Sequence, residues 1–169
     1  MGNIILIGFM GSGKTAVGEK LAAGLGWHFI DTDARIEEEQ GMAVAEIFAA
    51  RGEGYFRALE SDCLRALVQA GTDETVIATG GGMPLDGENR RLLSGLGMVV
   101  YLRVTAETVS SRIGDFSLRP LLDGADPAQK IAALLGGREA IYEAAADVSV
   151  DTVSLTAAQV VSAVLEEIT

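Results

Sequence analysis

The stretch "GFMGSGKT", residues 8–15, decides the fold. A glycine, four further residues and then Gly-Lys-Thr form the phosphate-binding pattern known as the P-loop. The apolar run "IILI" (4–7) precedes it and the helix-like run "AVGEKLAAGL" (16–25) follows it, which is the strand and helix context that the motif requires. In such a loop the backbone N–H groups and the helix N-terminus bind phosphates, so an incidental glycine-rich turn is the weaker interpretation.

The motif also predicts roles for its side chains. Lys14 would reach the β- and γ-phosphates of a nucleotide triphosphate, and the hydroxyl of Thr15 would bind Mg²⁺. ATP and Mg²⁺ are therefore the expected co-substrate and cofactor. The predicted nucleotide site comprises Gly11, Ser12, Gly13, Lys14, Thr15 and Ala16.

Short β-branched runs alternate with helix-like segments along the rest of the chain. The predicted strands lie at 3–8, 28–31, 75–79, 98–102 and 147–151, and the predicted helices at 14–24, 34–50, 53–70, 87–95, 105–113, 127–145 and 156–168. Parallel strands need crossover helices, so this alternation predicts one α/β domain over residues 1–169, with a five-stranded parallel sheet covered on both faces. Ligands are expected at the carboxyl ends of its strands.

Composition excludes several classes of protein. The chain has 169 residues, of which 49% are hydrophobic and 22% charged, an ordinary globular composition. Its net charge of −11 argues against binding to nucleic acids or anionic membranes, which need a basic face. The single Cys63 excludes an intramolecular disulfide, no apolar run is long enough to span a membrane, and no basic segment typical of a signal peptide opens the chain. A cytoplasmic protein is therefore expected.

The segment "FIDTDARIEEE" (29–39) leaves two interpretations open for its aspartates. Asp31 and Asp33 lie where an apolar run ends and a helix-like run begins, and aspartate is a favoured N-cap residue. Residues two apart at a strand end also point to the same side, so both carboxylates could face a metal and a substrate.

Four further stretches and one arginine carry a resemblance to a known family. They are "DTD" (31–33), "GEGYFRALE" (52–60), "TGGG" (79–82), "LRPLL" (118–122) and Arg138 in "GGREAIYEAA" (136–145). In this order and spacing the chain resembles the shikimate kinases from residue 3 to about residue 150. The resemblance implies ATP-dependent phosphorylation of the 3-hydroxyl of shikimate, a sheet of strand order 2-3-1-4-5 and a mobile lid at about 112–124. A monomer is expected.

The resemblance also implies a role for individual residues. Two arginines would bind the carboxylate of shikimate, and the carboxylate of Asp33 would accept hydrogen bonds from the ring hydroxyls. Asp31 would lie close to the metal. The implied catalytic residues are Lys14, Asp33 and Arg119, and the implied substrate-binding residues are Asp33, Arg57, Gly80, Gly81, Gly82 and Arg138. Arg119 and Arg112 complete the nucleotide site, with Arg112 against the adenine.

Simpler interpretations of these residues exist. Arg57 could pair with Glu53 or Glu60 on one helix face, Arg138 could pair with Glu139 or face solvent, the glycines could form a flexible turn, and Arg119 could be an exposed loop residue. The chain also departs from the family pattern. Ala16 replaces a common second hydroxyl residue, and no lysine or arginine follows Arg138, so recognition of the base would rely on backbone, packing and Arg112.

Two other functions remain possible on the sequence alone. A gluconate kinase, or another P-loop kinase of a small metabolite, would share the nucleotide site. A nucleotide-binding regulator without catalysis would keep the fold but typically lose a lysine, an aspartate or the lid arginine. All three of these residue types are present here, at Lys14, Asp33 and Arg119.

Overall fold

A computed structural model describes residues 2–113, 119–122 and 126–169. Its strands are β1 (Asn3–Ile7), β2 (His28–Asp31), β3 (Thr75–Ala78), β4 (Gly97–Arg103) and β5 (Val148–Asp151). They form one parallel sheet in the order β2-β3-β1-β4-β5, which confirms the predicted topology. The central strand is β1, where Ile5 pairs with Ile77 on one side and Val99 on the other.

Helices cover both faces of this sheet in a three-layer arrangement. They are α1 (Lys14–Leu25), α2 (Thr32–Gln40), α3 (Val44–Arg51), α4 (Glu53–Gln69), α5 (Gly87–Leu96), α6 (Ala106–Arg112), α7 (Pro127–Ala145) and α8 (Ala157–Ile168). Short 3₁₀ turns occupy Met83–Leu85 and Pro120–Leu122.

The two cores follow from the alternation of side chains along β1. Ile5 and Ile7 pack with residues of α4, α5 and α7 on one face, whereas Ile4 and Leu6 pack with α1 and α8 on the other. A smaller cluster centred on Ile36 joins α2, α3 and α4. All five residues of β1 are buried, which fixes the position of the strand and the start of the loop that follows it.

The prediction of one continuous helix over residues 34–50 is wrong. The segment predicted at 34–50 is two helices, because Gly41 adopts a left-handed conformation (φ 64°) and ends α2. The Glu37 carboxylate then accepts a hydrogen bond from the Val44 backbone N–H (2.9 Å) at the start of α3. Other predicted helix starts are confirmed, since Asp126 caps α7 and Thr156 forms a capping box on α8.

The predicted lid lies mostly outside the described residues, which omit 114–118 and 123–125. Within the described part, Arg112 ends α6 and Arg119 precedes the second 3₁₀ turn. No helix among the described residues is long and apolar enough to cross a membrane.

Candidate active site

The carboxyl ends of β1, β2 and β3 bring the predicted site residues to one edge of the sheet. β1 leads into the P-loop, β2 into the two aspartates, and β3 into the glycine run at 80–82. The end of β3 is tied to β1 because the backbone N–H and the hydroxyl of Thr79 both donate to the Leu6 carbonyl, at 3.1 and 2.9 Å. The topology therefore places the three segments next to one another.

The P-loop has the conformation that its glycines allow. Gly11 and Gly13 adopt positive φ angles of 74° and 90°, which other residues rarely tolerate. Gly13 is the N-cap of α1 and supplies no side-chain cap, and no acidic residue occupies the first turn of this helix. The N–H groups and the positive end of the helix dipole at α1 are therefore available for an anion.

Lys14 folds back onto the loop that carries it. Its ammonium donates to the carbonyls of Gly8 (2.7 Å) and Phe9 (2.9 Å) and to the Ser12 hydroxyl (3.3 Å). Burial lowers the pKa of Lys14 to about 8, although the nearby carboxylates of Asp33 and Asp31 oppose this shift. A phosphate would compensate the buried ammonium better than these neutral groups do.

Asp31 caps α2, as one of the two interpretations predicts, and it also contacts the P-loop. One carboxylate oxygen accepts from the Ala34 backbone N–H (3.1 Å) and so caps α2. The other accepts from the Thr15 hydroxyl (2.7 Å), which links β2 to the P-loop. The two residues predicted to bind the metal are therefore in direct contact.

Asp33, in the first turn of α2, has a different environment. Its Oδ1 is buried and accepts no hydrogen bond from any residue that the structure describes. Burial raises the pKa of Asp33, the Asp31 carboxylate raises it further, and the Lys14 ammonium opposes the rise. A buried carboxylate oxygen without a partner is costly unless a ligand donates to it. Asp33 thus has a carboxylate oxygen that is free to accept a hydrogen bond from a ligand.

Two cavities meet at this carboxylate. The first, about 340 Å³, lies between α2, α3, α4 and the glycine run, and the second, about 320 Å³, follows the P-loop. Met10, Asp33, Gly81 and Arg119 line both. The first cavity combines apolar side chains with charged ones; its other lining residues include Val44, Phe48, Phe56, Arg57, Glu60, Gly80, Gly82 and Arg138.

The glycine run is packed tightly and is not a flexible turn. A Cβ on Gly80 would lie 2.6 Å from Asp33 Oδ1 and 2.8 Å from Glu60 Oε2, and a Cβ on Gly82 would overlap the Arg57 guanidinium. The absence of side chains in this run therefore lets three charged side chains approach the same stretch of backbone.

Arg57 makes the ion pairs that its helix spacing allows. Its guanidinium donates to Glu60 (2.6 Å) and to Glu53 (3.1 Å), while it also lies against Gly82 and lines the first cavity. The ion-pair interpretation and the binding interpretation are therefore compatible, because the glutamates orient an arginine that still faces the cavity.

Arg138 behaves differently from Arg57. It is buried and makes no ion pair with any residue in the described part of the chain, and its guanidinium lies over the Phe9 ring (5.7 Å to the centroid). The predicted alternative, a pair with Glu139 or exposure to solvent, is not what the structure has. A buried cation without a carboxylate partner favours an anionic ligand in the adjoining cavity.

Glu60 is a site residue that sequence reasoning treated only as a partner of Arg57. Its side chain is fully buried, and its Oε2 has no hydrogen-bond partner in the described part of the chain. Burial raises the pKa of Glu60 to about 7; the Asp33 carboxylate adds to the rise, whereas Arg57 and Arg138 oppose it. The three-residue spacing from Arg57 was its only sequence signal.

The other two arginines of the predicted site, Arg112 and Arg119, lie nearer the P-loop. Arg112 is exposed and donates to the carbonyls of Gly11 (2.9 Å) and Thr152 (3.4 Å), so it bridges the P-loop and the segment after β5. Arg119 is exposed where the two cavities meet.

Comparison with known proteins agrees with this geometry. The sequence profile of the family described as "SKI: Shikimate kinase" matches residues 10–169. A shikimate kinase from Moorella thermoacetica is 49% identical over 165 residues, covering 98% of this chain and 93% of that protein. The structure of a shikimate kinase from Acinetobacter baumannii in complex with shikimate has a TM-score of 0.95 and 37% identity, and covers 99% of this chain and 93% of that one. A gluconokinase from Sinorhizobium meliloti, at 18% identity and a TM-score of 0.55 over 98% of this chain and 90% of its own, shares the fold alone. The chain belongs to the shikimate kinase family.

Proposed function

We propose that this chain transfers the γ-phosphoryl group of ATP to the 3-hydroxyl of shikimate. The observation that carries the proposal is the meeting of two cavities at Asp33 and Arg119, one along a P-loop and the other containing Arg57 and Arg138. A phosphate donor and a small carboxylate acceptor would then lie on either side of one carboxylate and one guanidinium. Membership of the family supports the same assignment.

The acceptor is held at its two ends. Arg138 makes no ion pair with a carboxylate among the described residues, and Arg57, whose guanidinium is fixed by Glu60, lines the same cavity. Forked arginine pairs suit an anion that must be oriented as well as attracted. With the carboxylate of shikimate on these arginines, the ring hydroxyls face Asp33, whose unpartnered Oδ1 accepts from them.

Three side chains then act on the transferred group. Asp33 orients the reacting hydroxyl and takes its proton late in a loose transition state, for which its raised pKa is suited. Lys14 exchanges its contacts with the P-loop carbonyls for the phosphates. Arg119 offsets the charge that develops on the equatorial oxygens of the phosphoryl group.

The residues present fit a magnesium ion. Thr15 and Asp31 offer a hydroxyl and a carboxylate oxygen 2.7 Å apart, both hard oxygen donors. In nucleotide sites Mg²⁺ keeps several waters and is bound through one or two carboxylates and the phosphates of the substrate. When bound there, the ion would supply positive charge that offsets the charge of the phosphates. Residues Thr15 and Asp31 would hold it.

Recognition of the base stays a prediction centred on Arg112, which already lies at the P-loop and beside Thr152. The cytoplasmic location and the monomeric state also stay predictions of the sequence.

An assay of coupled ADP release, with shikimate and gluconate offered side by side, tests the proposal. We expect turnover that depends on ATP, Mg²⁺ and shikimate. Faster turnover of gluconate would identify the chain as a kinase of another metabolite. Binding of ATP without turnover of either acceptor would indicate a nucleotide-binding regulator.

A further inference from the structure

Tyr142 lies directly behind the glycine run of the acceptor site. It follows Arg138 by four residues on α7, so the two side chains share one face of the helix. Tyr142 is fully buried, and its hydroxyl donates to the Gly81 carbonyl at 2.6 Å. This short contact joins the helix that carries Arg138 to the backbone of the site.

The Tyr142 hydroxyl is fixed as a donor. Burial raises the pKa of Tyr142, and the Arg138 guanidinium beside it opposes but does not reverse this rise. The phenol therefore keeps its proton at neutral pH. Gly81 is close to the same arginine, since a Cβ on Gly81 would lie 3.7 Å from Arg138 Nη1. One hydroxyl thus contacts the glycine backbone and neighbours the arginine that lines the cavity.

The direction of the Gly81 carbonyl also determines the direction of the Gly82 N–H. In a trans peptide the C=O and the following N–H point in opposite directions. By holding the Gly81 carbonyl towards α7, Tyr142 turns the Gly82 N–H the other way. Gly82 lines the first cavity, which the acceptor would occupy, whereas Tyr142 does not.

A second buried hydroxyl holds the other end of the run. The Gly80 backbone N–H donates to the Thr32 hydroxyl on α2 at 3.1 Å. Thr32 directly precedes Asp33, just as Tyr142 shares a helix face with Arg138. The glycine run is therefore held at two points, each next to a charged residue of the acceptor site.

We propose that Tyr142 is a positioning residue for acceptor binding, which acts by keeping the Gly81–Gly82 peptide and the Arg138 guanidinium in one fixed arrangement. Tyr142 does not touch the acceptor. The inference rests on the proposed function, because the acceptor is taken to be the carboxylate that this arrangement binds.

The test compares Tyr142→Phe with Tyr101→Phe. The two rings are in contact, with centroids 5.1 Å apart, and both tyrosines are buried. The Tyr101 hydroxyl, however, makes no hydrogen bond with any residue that the structure describes, so Tyr101→Phe removes a similar oxygen without touching the glycine run. Both variants keep the volume of the ring, and thermal unfolding checks that each one folds.

Loss of one buried hydrogen bond that positions two binding groups should raise the KM for shikimate about tenfold in Tyr142→Phe. We expect kcat to stay within about twofold and the calorimetric affinity for ATP to be unchanged, since Tyr142 lies on the acceptor side. Tyr101→Phe should keep the KM of the unaltered protein.

An unchanged KM in Tyr142→Phe would overturn the inference, as would an equal rise in both variants, which would indicate general loosening of the core. A parallel loss of ATP and shikimate affinity with a large fall in melting temperature would overturn it too, since that is a structural role. If the unaltered protein failed to bind or phosphorylate shikimate, the proposed function would fall and the inference with it. An active protein with an unaffected Tyr142→Phe variant overturns the inference alone.

Discussion

Gly82→Ala tests whether the lack of a side chain at Gly82 is what allows the Arg57 guanidinium to lie against the glycine run. A Cβ at this position would overlap the guanidinium of Arg57, so the arginine has to move. The backbone itself tolerates alanine, because Gly82 has φ −91° and ψ −8°, within the range open to other residues. The variant should therefore fold normally and displace one cation of the acceptor site.

The size of the effect follows from the contact that is lost. Charge-assisted hydrogen bonds contribute about 1.5–3 kcal/mol, which corresponds to a change of about 10-fold to 150-fold in affinity. Arg57 keeps 26% of its side chain exposed and is flexible, so it can rebind the carboxylate from a shifted position. We therefore expect the lower end, a rise of about tenfold in the KM for shikimate, with the KM for ATP unchanged.

Steady-state ADP release at saturating ATP measures this rise, and two further variants sharpen it. Gly24→Ala is the matched control, because a Cβ on Gly24 in α1 would meet no atom within 4 Å, and its KM should not change. The decisive measurement is the double variant of Gly82→Ala with Arg57→Ala. If the added methyl acts through Arg57, it should cause no further loss once that side chain is gone. An equal rise in the Arg57→Ala background would refute the reasoning and show that the methyl blocks the acceptor directly.

Three other predictions address the chemistry. Arg119→Ala should lower kcat by at least about 100-fold with little change in the KM for shikimate, because its contact strengthens as phosphoryl charge develops; single-turnover rates check this, and an unchanged rate would remove Arg119 from catalysis. In a magnesium titration, Asp31→Asn should raise the metal concentration needed for half-maximal rate, whereas Asp33→Asn should lose shikimate binding and turnover at every concentration; rescue of Asp33→Asn by excess metal would reverse the two roles. Finally, Glu60 holds Arg57 best when ionised, and its pKa is raised to about 7, so the KM for shikimate should rise as the pH falls from about 8 to about 6. Glu60→Gln should make KM high and flat over this range, and a retained pH dependence would assign the titration to another group. The effect of pH on stability runs in the opposite direction to its effect on binding. Because the folded state raises the pKa of Glu60, protonated Glu60 favours folding, and this contribution to stability is lost as the pH rises through about 7.

The parts of the fold that the sequence predicts are those set by local chemistry. The P-loop glycines, the cap at Asp126 and the capping box at Thr156 each act within a few residues of themselves, and all three appear as expected. The strand order was implied by family resemblance rather than by the residues, and the structure has it. The break after α2 is instructive, because Gly41 is a typical C-terminal helix signal that helical periodicity over 34–50 concealed.

The candidate site was predictable as a set of residues but not as a set of contacts. Arg57 has the same glutamates three and four residues away whether it is an exposed ion pair or a binding residue, and helix spacing alone does not distinguish them. Glu60 is buried because α4 packs against the glycine run, and this burial raises its pKa. The contact joins distant parts of the sequence, so no local pattern predicts it. The partnership of Tyr142 with Gly81 joins residues 61 positions apart, and no local pattern encodes it.

The net charge of the chain explains why anionic ligands have to be bound by cations placed close to the site. A chain of net charge −11 repels anionic ligands at long range, yet ATP and a carboxylate acceptor are both anionic. The fold places Lys14, Arg119 and Arg138 close to one another at this edge. Burial is the largest cause of the lowered pKa of Lys14; the carboxylates of Asp33 and Asp31 oppose it, and Arg119 and Arg138 add smaller lowering effects. A buried cation whose charged form is disfavoured by loss of water is stabilised by an anion that enters the site. The same arrangement that makes the free site electrostatically unfavourable is therefore the source of its affinity for phosphate and carboxylate together.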